Sequence, residues 1–199
     1  MRYFYARKRL LDMFYQANVL FVKREMMNIE NDTSERNLCS LLSRYIDDYM
    51  RDYGFNGYYV DVEYNRNGCE AKTIINGECK IIKIVCDLIV HSRGTKRKDN
   101  LIALEMKKLP CSQEDLESDR DRLMALTKHN MGEMFSWNGI ELPRQVCDYE
   151  IGIYYIIDRT NRTITFEFYA DGRLFKEEKY PFDYFFEKPL NKKVNYDEN

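Results

Sequence analysis

Asp87, Glu105 and Lys107 are the residues of this chain whose types and spacing could do chemistry. Asp87 lies inside a nearly all-apolar run, residues 81–90, and Glu105 and Lys107 close a second apolar run that begins at Leu101. Side chains of a strand alternate between its faces, so Glu105 and Lys107 share one face. Buried charges are costly unless they are paired or bind a cation. If the two runs are neighbouring strands, the three side chains converge. Two carboxylates without Cys or His make a hard, oxygen-rich site, which suits Mg2+ or Mn2+ and leaves water positions for a substrate phosphate. A nearby lysine orients or deprotonates an attacking water. The cation stabilises charge developing on phosphate. These parts suffice for phosphodiester hydrolysis.

The tripeptide Glu-x-Lys alone is uninformative in so charged a chain. It also occurs at Glu70/Lys72, Glu78/Lys80 and Glu177/Lys179. The first two flank polar turns and the last lies in a late hairpin. Only Glu105/Lys107 ends an apolar strand that follows another strand with an embedded acid. The rival is an edge strand ending in solvated charges. His91 and His129 are the only histidines, neither has a partner at ligand spacing, and both are expected to be structural. Gly-rich phosphate loops and Ser, Cys or Thr nucleophile motifs are absent.

The elements that must position these residues follow from periodicity. Residues 2–30 predict a helix, and a second helix runs from Ser34, as N-cap, to about Tyr53, with Leu38, Leu41, Leu42, Tyr45, Ile46 and Tyr49 at helical spacing. Residues 58–64 predict a strand, followed by turn signals at Asn67-Gly68 and Asn76-Gly77. The runs 81–90 and 101–107 predict strands covered on both faces. A helix over 113–128 carries Leu116, Leu123, Met124 and Thr127 near one stripe. Residues 149–157 and 163–169 predict strands, and Asp171-Gly172 turns into a last one. The expected fold class is α/β, a central mixed sheet flanked by helices. The expected organisation is a helical N-terminal appendage over 1–33, one α/β domain over 34–188 and a polar tail over 189–199.

Composition narrows the setting. The 199 residues are 44% hydrophobic, 32% charged and 14% aromatic, which excludes disorder and favours one domain with its own core. Net charge is −2 and the pI about 5.8, so a nucleic-acid partner requires a local basic patch. The best such patch is Arg93, Lys96, Arg97 and Lys98, in the loop leaving the strand that bears Asp87. Arg2, Arg7, Lys8 and Arg9 beside Tyr3, Phe4 and Tyr5 fit an amphipathic helix better. The six cysteines match no zinc spacing and include no CxxC pair, and Cys86 is expected to be a small core residue. With neither a signal peptide nor an apolar stretch of spanning length, the expected place is a reducing cytoplasm, away from membranes.

The segment Cys86-Asp87-Leu88-Ile89-Val90-His91, a short loop, then Asn100-Leu101-Ile102-Ala103-Leu104-Glu105-Met106-Lys107-Lys108 resembles the core motif of the PD-(D/E)xK, restriction-endonuclease-like superfamily. The resemblance implies a restriction-endonuclease-like core. It implies Mg2+ (or Mn2+) held by Asp87 and Glu105, and Lys107 helping to activate water. Cys86 replaces the family's proline, a mild departure. Many members carry a glutamate in the helix before the first core strand, and Glu35 occupies that place as a catalytic and metal-contacting candidate. Acids are favoured in any first helical turn, which is the plainer account of Glu35. The similarity extends over roughly 34–157 and takes in Val62-Glu63-Tyr64-Asn65-Arg66 and Asp119-Arg120-Asp121-Arg122-Leu123, whose like is found in uncharacterised bacterial members. Glu63 is expected to pair with a neighbouring arginine. Arg120 and Arg122 are expected either to touch phosphate or to pair with Glu117 or Asp119. The function expected is nuclease action on nucleic acid, DNA first. The alternative is a silent nuclease-like fold serving as a nucleic-acid- or protein-binding module. The acidic pI favours that alternative or a helper, either a homodimer or a partner protein.

Overall fold

The computed structural model describes residues 2–63, 66–67, 70–71, 73–75, 81–83, 86–128 and 148–190. Two helices open the chain, α1 (Arg2–Glu30) and α2 (Glu35–Asp52). Ser34 caps α2 by accepting a hydrogen bond from the Asn37 N–H, and the stripe Leu38, Leu42, Tyr45, Ile46, Tyr49 is buried, as the spacing predicts. Strand β1 (Tyr59–Val62) follows. Then come two small antiparallel ladders, β2 (Arg66–Asn67) with β3 (Glu70–Ala71), and β4 (Thr73–Ile75) with β5 (Ile81–Lys83). Next are β6 (Leu88–His91), β7 (Asn100–Leu109), helix α3 (Gln113–Leu126), β8 (Ile151–Asp158), β9 (Thr163–Ala170), β10 (Arg173–Pro181) and a short α4 (Phe182–Glu187).

Six strands make one mixed sheet in the order β1-β6-β7-β8-β9-β10. Only β7 and β8 run parallel. A parallel pair needs a crossover, and α3 lies in that connection. The helices flank the sheet on both sides. Helices α1, α2 and α4 pack with Leu88, Val90, Ile102, Leu104 and Met106 on one face. Leu123 and Leu126 of α3 pack with Ile89, Ala103, Tyr154, Ile156 and Tyr169 on the other. Gly152 sits where α3 crosses β8, and a Cβ there would lie 3.1 Å from Thr127 Cγ2 and 3.2 Å from Tyr169 Cβ.

Three expectations change. The apolar run 81–90 is not one strand: its start, β5, pairs with β4 in a separate ladder, and β6 begins only at Leu88. Apolarity marks burial, not the partner, so a run that changes partner looks continuous. Helix α1 is no appendage to the core, because Leu10, Met13, Phe14, Ala17 and Phe21 are buried in it. Helix α4 was not expected; Phe182 and Phe185 are buried directly after Pro181 at its N-cap. Among the described residues, no helix is long and apolar enough to cross a membrane.

Candidate active site

Register brings the two acids together. β6 and β7 are antiparallel with Leu88 opposite Leu104, so Asp87 falls opposite Glu105, one position past the ladder. Alternation puts Asp87, Glu105 and Lys107 on the face of Ile89 and Ala103, beneath α3. The Met106 N–H donates to Asp87 Oδ2 at 2.8 Å. Glu105 is 2% exposed, and Arg122 Nη1 of α3 donates to its Oε1 at 2.7 Å. Lys107 reaches Asp119 Oδ2 at 3.2 Å and Glu35 Oε2 at 4.0 Å. Glu35 stands in the first turn of α2, near the end of β7, where its Oε1 accepts the Lys108 N–H at 2.7 Å. The structure thus gathers Asp87, Glu105, Lys107 and Glu35 at one end of the β6–β7 pair.

Charge sets the character of this place. Burial is the main reason the Glu105 carboxyl is pushed up to about 8; Asp87 adds repulsion, and Arg122 offsets only part. The Asp87 carboxyl also stands above its ordinary value, through burial first, then Glu35 and Asp119, against the Met106 hydrogen bond. Burial pulls the Lys107 ammonium down, but Asp119, Glu35 and Asp87 together raise it above its ordinary value. Lys107 is therefore charged at neutral pH. Four carboxylates, those of Glu35, Asp87, Glu105 and Asp119, face two cations, Lys107 and Arg122. Fully ionised, the cluster carries a two-charge excess of negative over positive.

That excess and the donor chemistry fit a hard divalent cation. Met106 and Arg122 engage one oxygen each of Asp87 and Glu105, leaving the other oxygen of each carboxylate. Among the described residues, no group of three or more His, Cys, Asp or Glu side chains stands in metal-holding geometry. A cation on Asp87 and Glu105 would complete its shell largely with water, as Mg2+ commonly does.

Other candidates resolve into structural partners. Glu63 pairs with Arg36 at 3.0 Å, as expected. Arg120 pairs with neither Glu117 nor Asp119: its guanidinium forks onto Glu167 of β9, with Nε 2.9 Å from Oε2. His91 Nε2 lies 2.8 Å from Asp61, and His129 is outside the described residues. Cys86 is buried in the α3-side core. The basic loop leaves β6 at the end opposite Asp87, roughly 13 Å along the strand at about 3.3 Å per residue. Arg93 there forks onto Asp61 and lies over the Tyr59 ring, and Lys98 reaches Asp148 and Glu150. Lys96 lies over the Tyr58 ring, and Arg97 is exposed. The structure does not bring this loop to the carboxylates.

Sequence reasoning names Asp119 only as a partner for an arginine, not as part of the site, and passes over Tyr154. Asp119 is 7% exposed and meets Lys107, Arg122 Nη1 at 3.2 Å and the Tyr154 hydroxyl at 3.1 Å. The signal was present: Asp119 falls between Leu116 and Leu123 on the buried stripe of α3, where an acid is out of place. Against known proteins, no family model, no curated protein and no solved structure matches this chain.

Proposed function

We propose that the protein is a divalent-cation-dependent nuclease with a PD-(D/E)xK-type, restriction-endonuclease-like core, hydrolysing phosphodiester bonds of nucleic acid, DNA first. The observation that carries this reading is Asp87 directly opposite Glu105 on neighbouring strands, with Lys107 on the same face. Asp87 and Glu105 would hold Mg2+ or Mn2+, with Glu35 close to the same group. Such a cation withdraws charge from a phosphate oxygen and lowers the pKa of water. The chain's own residues do the rest. Lys107, kept as an ammonium by Asp119 and Glu35, donates to the attacking water or to the phosphate. In that form it orients the water rather than deprotonating it. Carboxylates nearby, including Glu35, are the available acceptors.

The experiment is direct. The purified protein, incubated with plasmid DNA and with single-stranded RNA, should cleave in Mg2+ or Mn2+ and stop in EDTA. Lys107→Ala should abolish turnover and leave Mn2+ binding in place. An unchanged rate in Lys107→Ala would remove the lysine from the chemistry.

One observation favours a second reading. Arg122 already compensates Glu105, and Lys107 already compensates Asp119. A nuclease-like fold serving only as a binding module would need no more than that. Mn2+ binding that is lost in Asp87→Ala discriminates for the nuclease; no binding in either protein favours the module.

A further inference from the structure

Asp119 is one of three buried residues on α3, the other two being Leu123 and Leu126. A carboxylate at a helix–sheet interface is expensive, and a well-packed apolar residue there is often as stable or more so. Fold alone therefore gives no reason for an acid at this position. The geometry does: its Oδ2 takes both the Lys107 ammonium at 3.2 Å and the Tyr154 hydroxyl at 3.1 Å, while Oδ1 meets Arg122 at 3.2 Å. Tyr154 sits on β8 directly beside Glu105, so it braces Asp119 from the sheet. Arg122 in turn is hydrogen-bonded to Glu105.

We propose that Asp119 is a positioning residue: it holds the Lys107 ammonium beside the Asp87/Glu105 pair, and Tyr154 fixes Asp119 for that task. The lysine stem is flexible and only partly covered. Without Asp119, its near anchor is Glu35 at 4.0 Å, a longer contact from a different helix. The polar line thus runs from Tyr154 through Asp119 to Lys107. It makes α3 a wall of the reaction centre rather than only a crossover. The inference rests on the nuclease reading for what Lys107 does, and on this contact set for how it is held.

The test uses the full chain and three variants, Asp119→Asn, Asp119→Leu and Asp119→Glu. Lys107 accessibility is read by reductive methylation with formaldehyde and borohydride, followed by peptide mass spectrometry. Wild type should protect Lys107; Asp119→Asn and Asp119→Leu should lose the protection. With DNA and Mn2+, kcat should fall roughly 10- to 100-fold in both while KM and Mn2+ affinity stay near wild type, the usual size for loss of an outer partner. Asp119→Glu should recover part of kcat. Lys107 still protected in Asp119→Asn, or kcat unchanged, overturns the proposal. So does thermal unfolding of both the Asn and Leu variants at assay temperature, which would make the carboxylate a requirement of the fold. A wild type that cleaves nothing sinks the nuclease reading instead, and the methylation arm still decides whether Asp119 holds Lys107.

Discussion

Cation binding at Asp87 and Glu105 should release a proton near neutral pH, and Glu105 sets the size of the effect. Its carboxyl is pushed up to about 8 by burial and by Asp87, so at pH 7 it holds a proton about nine times in ten. A divalent cation needs the carboxylate, so the proton must leave on binding. Affinity should therefore rise about tenfold per pH unit below 8 and level off above it. Binding at pH 6 should be roughly 100-fold weaker than on the plateau, a difference of about 2.7 kcal/mol. Calorimetric titration with Mn2+ at pH 6, 7, 8 and 9, each in two buffers of different ionisation enthalpy, measures affinity and proton release together. Release should be about 0.9 proton at pH 7 and fall toward zero at pH 9. Asp87 is also raised, by burial first, and adds to the pH dependence in the same direction. Affinity that is flat from pH 6 to 9, or binding without proton release, would refute the assignment of Glu105 as the shifted ligand.

The same group acts on stability. A folded-state value raised to about 8 from an ordinary 4.5 means the unfolded chain loses its proton first, so stability falls as pH rises through that window. Glu105→Gln should accordingly gain stability over wild type above pH 8, by on the order of several kcal/mol at most, and gain little near pH 4, as urea unfolding at the two pH values would show. Gly152→Ala brings a methyl to 3.1 Å from Thr127 and 3.2 Å from Tyr169, so these neighbours must give by a few tenths of an ångström; a loss of about 1–3 kcal/mol is expected, and no change in the urea midpoint would contradict that close approach. Neutralising Lys96, Arg97 and Lys98 together should leave Mn2+ affinity intact, since the loop is at the far end of β6 from Asp87. If that loop contacts phosphate, the triple variant also weakens nucleic-acid binding and flattens its salt dependence; an unchanged salt slope moves the substrate path elsewhere.

Much of the architecture is local and so was open to sequence reasoning. Ser34 announces a helix because its side chain accepts from the N–H three residues on. Alternation in residues 163–169 marks a strand, although the half-covered strand it suggests is buried on both faces from Phe166 to Ala170, and Asp171-Gly172 marks a turn because both residues hold positive φ. The embedding of Asp87, Glu105 and Lys107 in apolar runs was likewise visible, and with it the reason to look there. What stayed hidden depends on which segments become neighbours. The run 81–90 divides between two ladders, because strand pairing is decided by backbone partners brought from elsewhere in the chain. The basic loop follows Asp87 closely in sequence yet lies at the other end of β6, because an extended strand carries its ends far apart. Arg120 passes over its neighbours on α3 for Glu167 on β9, a partner 47 residues away. Glu35, Asp119, Arg122 and Tyr154 reach the site from α2, α3 and β8. Side-chain types and periodicity settle which residues seek burial; only packing of the helices on the sheet decides which buried charges meet, because Coulomb attraction and hydrogen bonding act through space, not along the chain.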